Sequence, residues 1–366
     1  MGDELTFAAA RAEFPVLERI AYLNAGSMGP LQRAAGEAIA AAAARDLAEG
    51  RSGKTYYEEL LALRDGVRGR IAELLGVDRE NVALTSSTTD GCNIVVAGLG
   101  LGPGDEVVTT DSEHPGLLAP LHASGVRVVV APTSTQPAAA ALETILARVT
   151  GRTRLLALSH VCWTTGQVFP VHELKSETGL PVLVDGAQSV GAIAVSAGEL
   201  DFYTVSCQKW LCGPEPLGAL YVRDPEGLRV ARPTAFSQAS IEPDGSFEPK
   251  PGALRFDSGW LARPSLAGLL AALDAAPTWR FERGAATAEA CRQRLADAGL
   301  EVVTEPGQAT LVSFVPPDAA ADAVARAGEQ GVVVRELPGT GWCRASCGYW
   351  TSEDDLVRLV AAMRLG

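Results

Sequence analysis

The sequence predicts an α/β protein: a large, doubly wound, mainly parallel sheet domain joined to a smaller α+β C-terminal domain. Seven short runs of β-branched and aliphatic residues between about Asn81 and Arg223 alternate with segments of helical spacing. Most runs are nearly all apolar rather than alternating, as strands covered by helices on both faces must be. A stretch rich in Pro, Ser, Gly and Glu, residues 231–251, then breaks the pattern. At about 150 residues per domain, 366 residues support roughly two domains, with expected bounds of 15–250 for the large one and 1–14 plus 251–366 for the small one.

The elements follow in order. The alanine-rich stretch 34–48 is a helix, since Ala is the best helix former and Glu37, Arg45, Asp46 and Glu49 give it a wet face. Strands are expected at 82–86, 106–110, 126–131, 155–160, 181–185, 202–206 and 217–222. Between them, 90–99, 116–124, 138–149 and 171–178 are helices bounded by Gly, Pro, Ser or Thr. Beyond the break, 265–275, 286–298 and 319–330 are helical, 311–315 and 332–335 are short strands, and 354–363 is a closing helix. No repeat of solenoid or propeller period is present.

Composition narrows the function. With Lys+Arg 31 against Asp+Glu 44, the net charge of −13 has the wrong sign for a phosphate-backbone binder, so no nucleic-acid partner is expected. Residues 1–13 carry Asp3, Glu4, Arg11 and Glu13 without an apolar leader core, and no window approaches 18 uncharged apolar residues. A soluble, cytoplasmic protein with no membrane partner is expected. Seven cysteines without a C-x-x-C pair, and four scattered histidines, support neither a disulfide framework nor a metal site.

Two strand ends carry the chemistry. Asp185 closes an apolar run at the edge where open α/β sheets bind ligands, although taken alone it reads as the cap of the next helix. Lys209 lies just past the following run, framed by Gly213 and Pro214, so the two side chains are expected to face one cleft. A lysine beside an acid at such a crevice is what pyridoxal phosphate requires. The lysine anchors it covalently, the acid keeps its ring nitrogen protonated, and the phosphate needs a nest at a helix N-terminus. Residues 85–91, Thr-Ser-Ser-Thr-Thr-Asp-Gly, offer that nest.

With these motifs, the chain resembles the class V aminotransferases, the cysteine desulfurase-like branch of pyridoxal phosphate enzymes, over essentially its whole length. The resemblance implies the fold type I architecture and pyridoxal 5′-phosphate as cofactor. It implies Lys209 as the anchoring lysine, Asp185 as the ring-nitrogen partner and Gln188 as a hydrogen-bond donor near the 3′-oxygen. Thr88, Thr89, Ser206 and Gln208 take the phosphate, and His114, within Glu113-His114-Pro115, stacks over the ring. Arg344 matches the substrate-carboxylate arginine, whose planar fork pairs bidentately with a carboxylate; Asn24 and Trp163 are the further substrate contacts. Family active sites take residues from two chains, so a homodimer is implied.

The departures are as informative. Gln208 stands where many relatives carry His, and Trp163 stands where desulfurases usually carry Asn. The family's R-F-E-x-G-T reads Arg255-Phe-Asp-Ser-Gly-Trp260, without the Thr, and Trp163 and Trp260 are expected to shape the pocket. Desulfurases form a persulfide on a loop cysteine before the carboxylate arginine. Here residues 334–342 contain no cysteine and Cys343 directly abuts Arg344, while Cys207 and Cys212 beside Lys209 read as packing. The resemblance is strongest to the cyst(e)ine C–S lyases, which eliminate sulfur from the β-carbon of an amino-acid substrate. Cysteine desulfurases, sulfoxide C–S lyases of ergothioneine-type pathways, isopenicillin-N-epimerase-like racemases and a non-catalytic small-molecule-binding module are the alternatives. Specificity is expected in the loops 50–57 and 235–251 and at Trp260.

Overall fold

The computed structural model describes residues 5–364; residues 1–4 of the expected segment 1–14 and residues 365–366 of the segment 251–366 lie outside them. All seven expected runs are strands of one sheet. Their spatial order is Val82–Thr85, Gly218–Val222, Phe202–Ser206, Val182–Asp185, Thr153–Ser159, Glu106–Thr110 and Arg127–Ala131. Only Gly218–Val222 runs against its neighbours, so the other six strands point their C-terminal ends to one edge. Along these strands the apolar side chains alternate between two cores. Val182 and Val184 face the core that holds Leu156 and Val205, while Leu183 faces the one that holds Leu155 and Phe202. Arg127–Ala131, at the end of the sheet, is the most exposed strand of the set.

Four segments depart from the expected elements. The helix Gly53–Leu75 replaces most of the expected loop 50–57; its buried stripe of Leu60, Val67, Ile71 and Leu75 is interrupted by two buried arginines, Arg64 and Arg68. The stretch 138–149 divides into a 3₁₀ turn, Ala138–Ala140, which buries nothing, and the helix Ala141–Leu146, which buries Ala141 and Ile145. The run 332–335 belongs to two sheets: Val332–Val333 pairs with Ala21–Tyr22, and Arg335–Leu337 edges a three-stranded antiparallel sheet with Trp342–Ser346 at its centre and Leu311–Phe314 beyond. The loop 231–251 also contains the hairpin Gln238–Ile241 and Phe247–Pro249.

The small sheet has its own core, in which Leu295, Phe314, Leu356 and Leu359 are buried together with Ala21 and Leu23 from near the N-terminus. Leu266, Leu269 and Leu273, from the helix Arg263–Ala275, pack instead into the large core. The two cores therefore exchange segments across the bounds expected at 15 and 250.

Candidate active site

The turn that follows Phe202–Ser206 holds Lys209. Within it Cys212 N donates to Lys209 O at 3.2 Å and Gly213 N donates to Cys207 O at 2.9 Å. Cys212 takes a left-handed φ of 53°, at a cost of about 1–2 kcal/mol for a residue with a Cβ. The N-terminal segment is laid directly over this turn, with Gly29 N donating to Gln208 O at 2.8 Å. A Cβ at Gly29 would sit 2.0 Å from the Lys209 carbonyl oxygen, so only glycine permits the approach.

Asp185 ends its strand beside Ser159 on one side and Thr204 on the other, and its Oδ1 accepts from Ala187 N at 2.9 Å. Lys209 has no carboxylate within ion-pair distance among the described residues. Burial pushes its ammonium down to about 8; Asp185 pulls the other way, and Arg344 and Arg335 add to the lowering. A far larger fraction of this lysine is thereby neutral near physiological pH than of an ordinary one. Burial and the Lys209 charge also lower His114, whose Nδ1 accepts from Gly116 N at 3.0 Å. His114 therefore caps the helix Pro115–Ala123 while its ring meets Trp163 edge-on, with 5.4 Å between centroids.

The sequence Ser86 to Asp90 opens the helix Thr88–Leu99. Ser87 Oγ accepts from Asp90 N at 3.1 Å, and Asp90 Oδ2 accepts from both the amide and the hydroxyl of Ser86 at 3.1 Å. That leaves the hydroxyls of Thr88 and Thr89 without a hydrogen bond among the described residues, at the positive end of a twelve-residue helix. Ser206 Oγ donates to Gln208 Oε1 at 2.9 Å nearby in the chain. Gln188, expected as a donor to the cofactor, is partly engaged: its Nε2 donates to Gly26 O at 2.8 Å, and its Oε1 accepts from Trp210 Nε1 at 2.9 Å.

Arg344 comes from the central strand of the small sheet. Period two on that strand sends Cys343 and Ala345 into the small core and Arg344 to the other face. Its guanidinium is wholly buried and makes one hydrogen bond, Nη1 to Trp163 O at 2.6 Å, leaving Nε and Nη2 without a partner. Burial, then the like charge of Arg335, lowers it to about 9. Sequence reasoning missed Arg335, which lies in register with Arg344 on the adjacent strand, donates to Ser27 Oγ at 3.0 Å and stands 5.7 Å over the Trp163 ring. Its signal was the position opposite Arg344, invisible until the strands are paired. Asn24 bridges to Ser346, and its Oδ1 accepts from Ser27 Oγ at 2.8 Å. The Trp163 indole N–H is buried and unpartnered. Trp260 stands apart: 70% exposed, it packs edge-on against Phe236 at 4.9 Å beside an open depression with Tyr56 and Tyr57.

Two buried carboxylates, Glu113 and Asp257, were read only as members of motifs, without a role of their own. Glu113 accepts from Thr110 Oγ1 at 2.7 Å and from the Ser159 amide and hydroxyl at 2.9 and 2.6 Å, tying two strand ends together; burial raises it to about 7 against these hydrogen bonds. Asp257 is gripped by Arg64 and Arg68 and accepts from Leu84 N at 2.8 Å, fixing the strand that leads into the Ser/Thr turn.

This donor set fits pyridoxal phosphate: a lysine of lowered basicity, a strand-end carboxylate and a helix N-terminus with unspent hydroxyls, with the partnerless guanidinium atoms of Arg344 left for a carboxylate. The class V aminotransferase family profile matches residues 36–359, and the chain belongs to that family. Among solved structures it is similar to the cystine C–S lyase C-DES in complex with its product cysteine persulfide, at TM-score 0.89 and 29% identity over 96% of this chain and 98% of that one. A lysine-to-alanine mutant of C-DES, with glycine covalently linked to its PLP cofactor, gives TM-score 0.90 over 97% and 99%. Among curated sequences, the isopenicillin N epimerase of Streptomyces clavuligerus is 28% identical over 97% of this chain and 96% of its own length. A probable cysteine desulfurase of Pseudomonas aeruginosa is 32% identical over 82% and 81%.

Proposed function

We propose that this chain is a pyridoxal phosphate-dependent C–S lyase. It would cleave cysteine, cystine or an S-substituted cysteine by β-elimination, giving pyruvate, ammonia and a sulfide, or a persulfide from a disulfide substrate. The observation that carries the reading is the full-length likeness in shape to the cystine C–S lyase. When bound, the cofactor supplies an electron sink for negative charge at the substrate Cα. In this reading Lys209 holds the cofactor and then, as a neutral amine, takes the Cα proton. Asp185 holds a proton at the ring nitrogen, Thr88, Thr89, Ser206 and Gln208 take the phosphate, and Gln188 faces the 3′-oxygen with its remaining N–H. Neutral His114 covers the ring. Arg344 and Arg335 grip the carboxylate, aided by Asn24 and Trp163, and so fix which Cα bond is broken.

Sulfur needs no protein acceptor in this reaction, and the thiols agree with that. All seven cysteines are buried, and burial raises Cys207 and Cys343 to about 12 and Cys212 further still, so none of these three is a ready thiolate. A racemase is the second reading, favoured by the full-length likeness to isopenicillin N epimerase. The protein is further inferred to be a cytoplasmic homodimer, on the family resemblance and its free cysteines. A panel of cysteine, cystine, cystathionine and cysteine sulfoxides, with pyruvate, alanine and sulfur products quantified, tests the assignment. Pyruvate is expected; alanine as the dominant carbon product selects a desulfurase, and Cα-proton exchange without pyruvate selects a racemase.

A further inference from the structure

Glu113 has no part in the reaction as read above, yet it is a buried carboxylate at the strand ends that carry the site. Its Oε1 accepts from Thr110 Oγ1 and its Oε2 from both the amide and the hydroxyl of Ser159, all uncharged donors, and it has no ion-pair partner among the described residues. The sheet fixes what it faces. Ala157 and Leu183 are in register and share one core, so Ser159 and Asp185, two residues further along each strand, leave the sheet on that same face. The Ser159 hydroxyl therefore brings the Glu113 carboxylate to the face that carries Asp185, one strand away. Cys92, buried in the same core, responds to both: burial raises its thiol, and the charges of Asp185 and Glu113 add to the rise against a hydrogen bond with Thr204. The other titratable groups around Glu113 are Cys162, whose Sγ lies 4.0 Å from Ser112 O, and His114, whose Nδ1 caps the next helix.

We infer that Glu113 is a positioning residue for the proton at the cofactor ring nitrogen: held across Ser159, its negative charge adds to that of Asp185 and keeps the proton on the ring more firmly than Asp185 alone would. The inference rests on the reading of Asp185 given above. Two anions buried side by side disfavour each other's ionised form, and burial, with Asp185 adding to it, raises Glu113 to about 7 against its hydrogen bonds. A protonated ring supplies the positive charge that both carboxylates lack, so the mutual repulsion becomes a shared attraction once the cofactor is bound. A purely structural tie between strand ends would need no charge. Glutamine would serve it equally, with its oxygen on the two Ser159 donors and its N–H toward the Thr110 hydroxyl.

The test follows the ring nitrogen directly, by NMR of the enzyme loaded with pyridoxal phosphate isotopically labelled at that atom, as the pH is raised. Glu113→Gln should shift the ring-nitrogen resonance toward its unprotonated position and lower the pH at which the proton is lost by about half a unit or more. Thr110→Val removes one donor that favours the charged form of Glu113. It should act in the same direction by less, and it decides the matter if Glu113→Gln does not fold. Glu113→Asp, which keeps the charge, should stay nearer the parent than Glu113→Gln does. Asp185→Asn should give the largest change; if it gives none, the reading of Asp185 fails and takes this inference with it. If Asp185→Asn changes the resonance while that of Glu113→Gln coincides with the parent's throughout, Glu113 is a structural tie and nothing more.

Discussion

Asp257 and Arg344 are buried to a similar depth, yet their surroundings answer them differently. Asp257 Oδ2 lies 3.0 Å from Arg64 Nη2 and 2.9 Å from Arg68 Nη2, its Oδ1 takes Leu84 N, and Arg64 Nη1 reaches Gly259 O at 3.2 Å. Arg344 receives one carbonyl and two repelling cationic neighbours, Arg335 and Lys209. Burying a charge costs several kcal/mol unless partners offset it, so the first group is part of the fold while the second is a deficit that, in the proposed function, a substrate carboxylate would fill. Lys209, also without a carboxylate partner, belongs with Arg344.

The sharpest way to break this contrast is at Lys209. Lys209→Ala should abolish turnover and covalent cofactor attachment while the protein stays folded, as borohydride reduction and peptide mapping would show; labelling at Lys54, Lys175 or Lys250 would overturn the site. Arg344→Gln should lower kcat/KM about 100- to 1000-fold, the range for loss of a buried charged pair, with a melting temperature no lower than the parent's. A clear loss of stability there would mean that the guanidinium already serves the fold. Asp257→Asn should do the reverse: about 3–5 kcal/mol of stability lost in denaturant titration because Arg64 and Arg68 are stranded, with activity falling only as folded protein is lost.

Smaller effects sharpen the same distinction. Covalent loading of the cofactor-free protein needs the neutral Lys209 amine, so its rate should rise with pH and level off above about 8. Asp185→Asn removes the contribution that raises Lys209 and should move that midpoint to lower pH; an unchanged midpoint would place the two groups apart. Cys207→Ala, Cys212→Ala and Cys343→Ala should each cost about 1–2 kcal/mol in packing and keep pyruvate formation. Loss of sulfur release in any one of them would favour a persulfide route.

The sheet was legible because its strands are nearly pure apolar runs, and the Asp185 and Lys209 motifs were legible because both lie at strand ends within those runs. The helix Gly53–Leu75 was not, since Arg64 and Arg68 occupy its buried stripe and charged residues there read as a solvated face. Arg335 escaped for a related reason: a surface charge and a site charge look alike until strand pairing sets Arg335 opposite Arg344. Asp257 was seen only as a variation on a family motif, because its arginine partners lie almost two hundred residues away.

The N-terminal segment also bears on when the enzyme becomes whole. Ala21 pairs with Val332, Asn24 bridges to Ser346, and Arg11 bonds Asp355 at a separation of 344 residues, so these contacts have no partners until residues 332–355 have left the ribosome. The seven large-sheet strands are all translated by Val222, on the order of ten seconds before Arg344 and Ser346 at ordinary elongation rates. The nascent protein therefore gains its lysine and helix N-terminus first, and acquires Arg344, with the pairings of Ala21 and Asn24, only later.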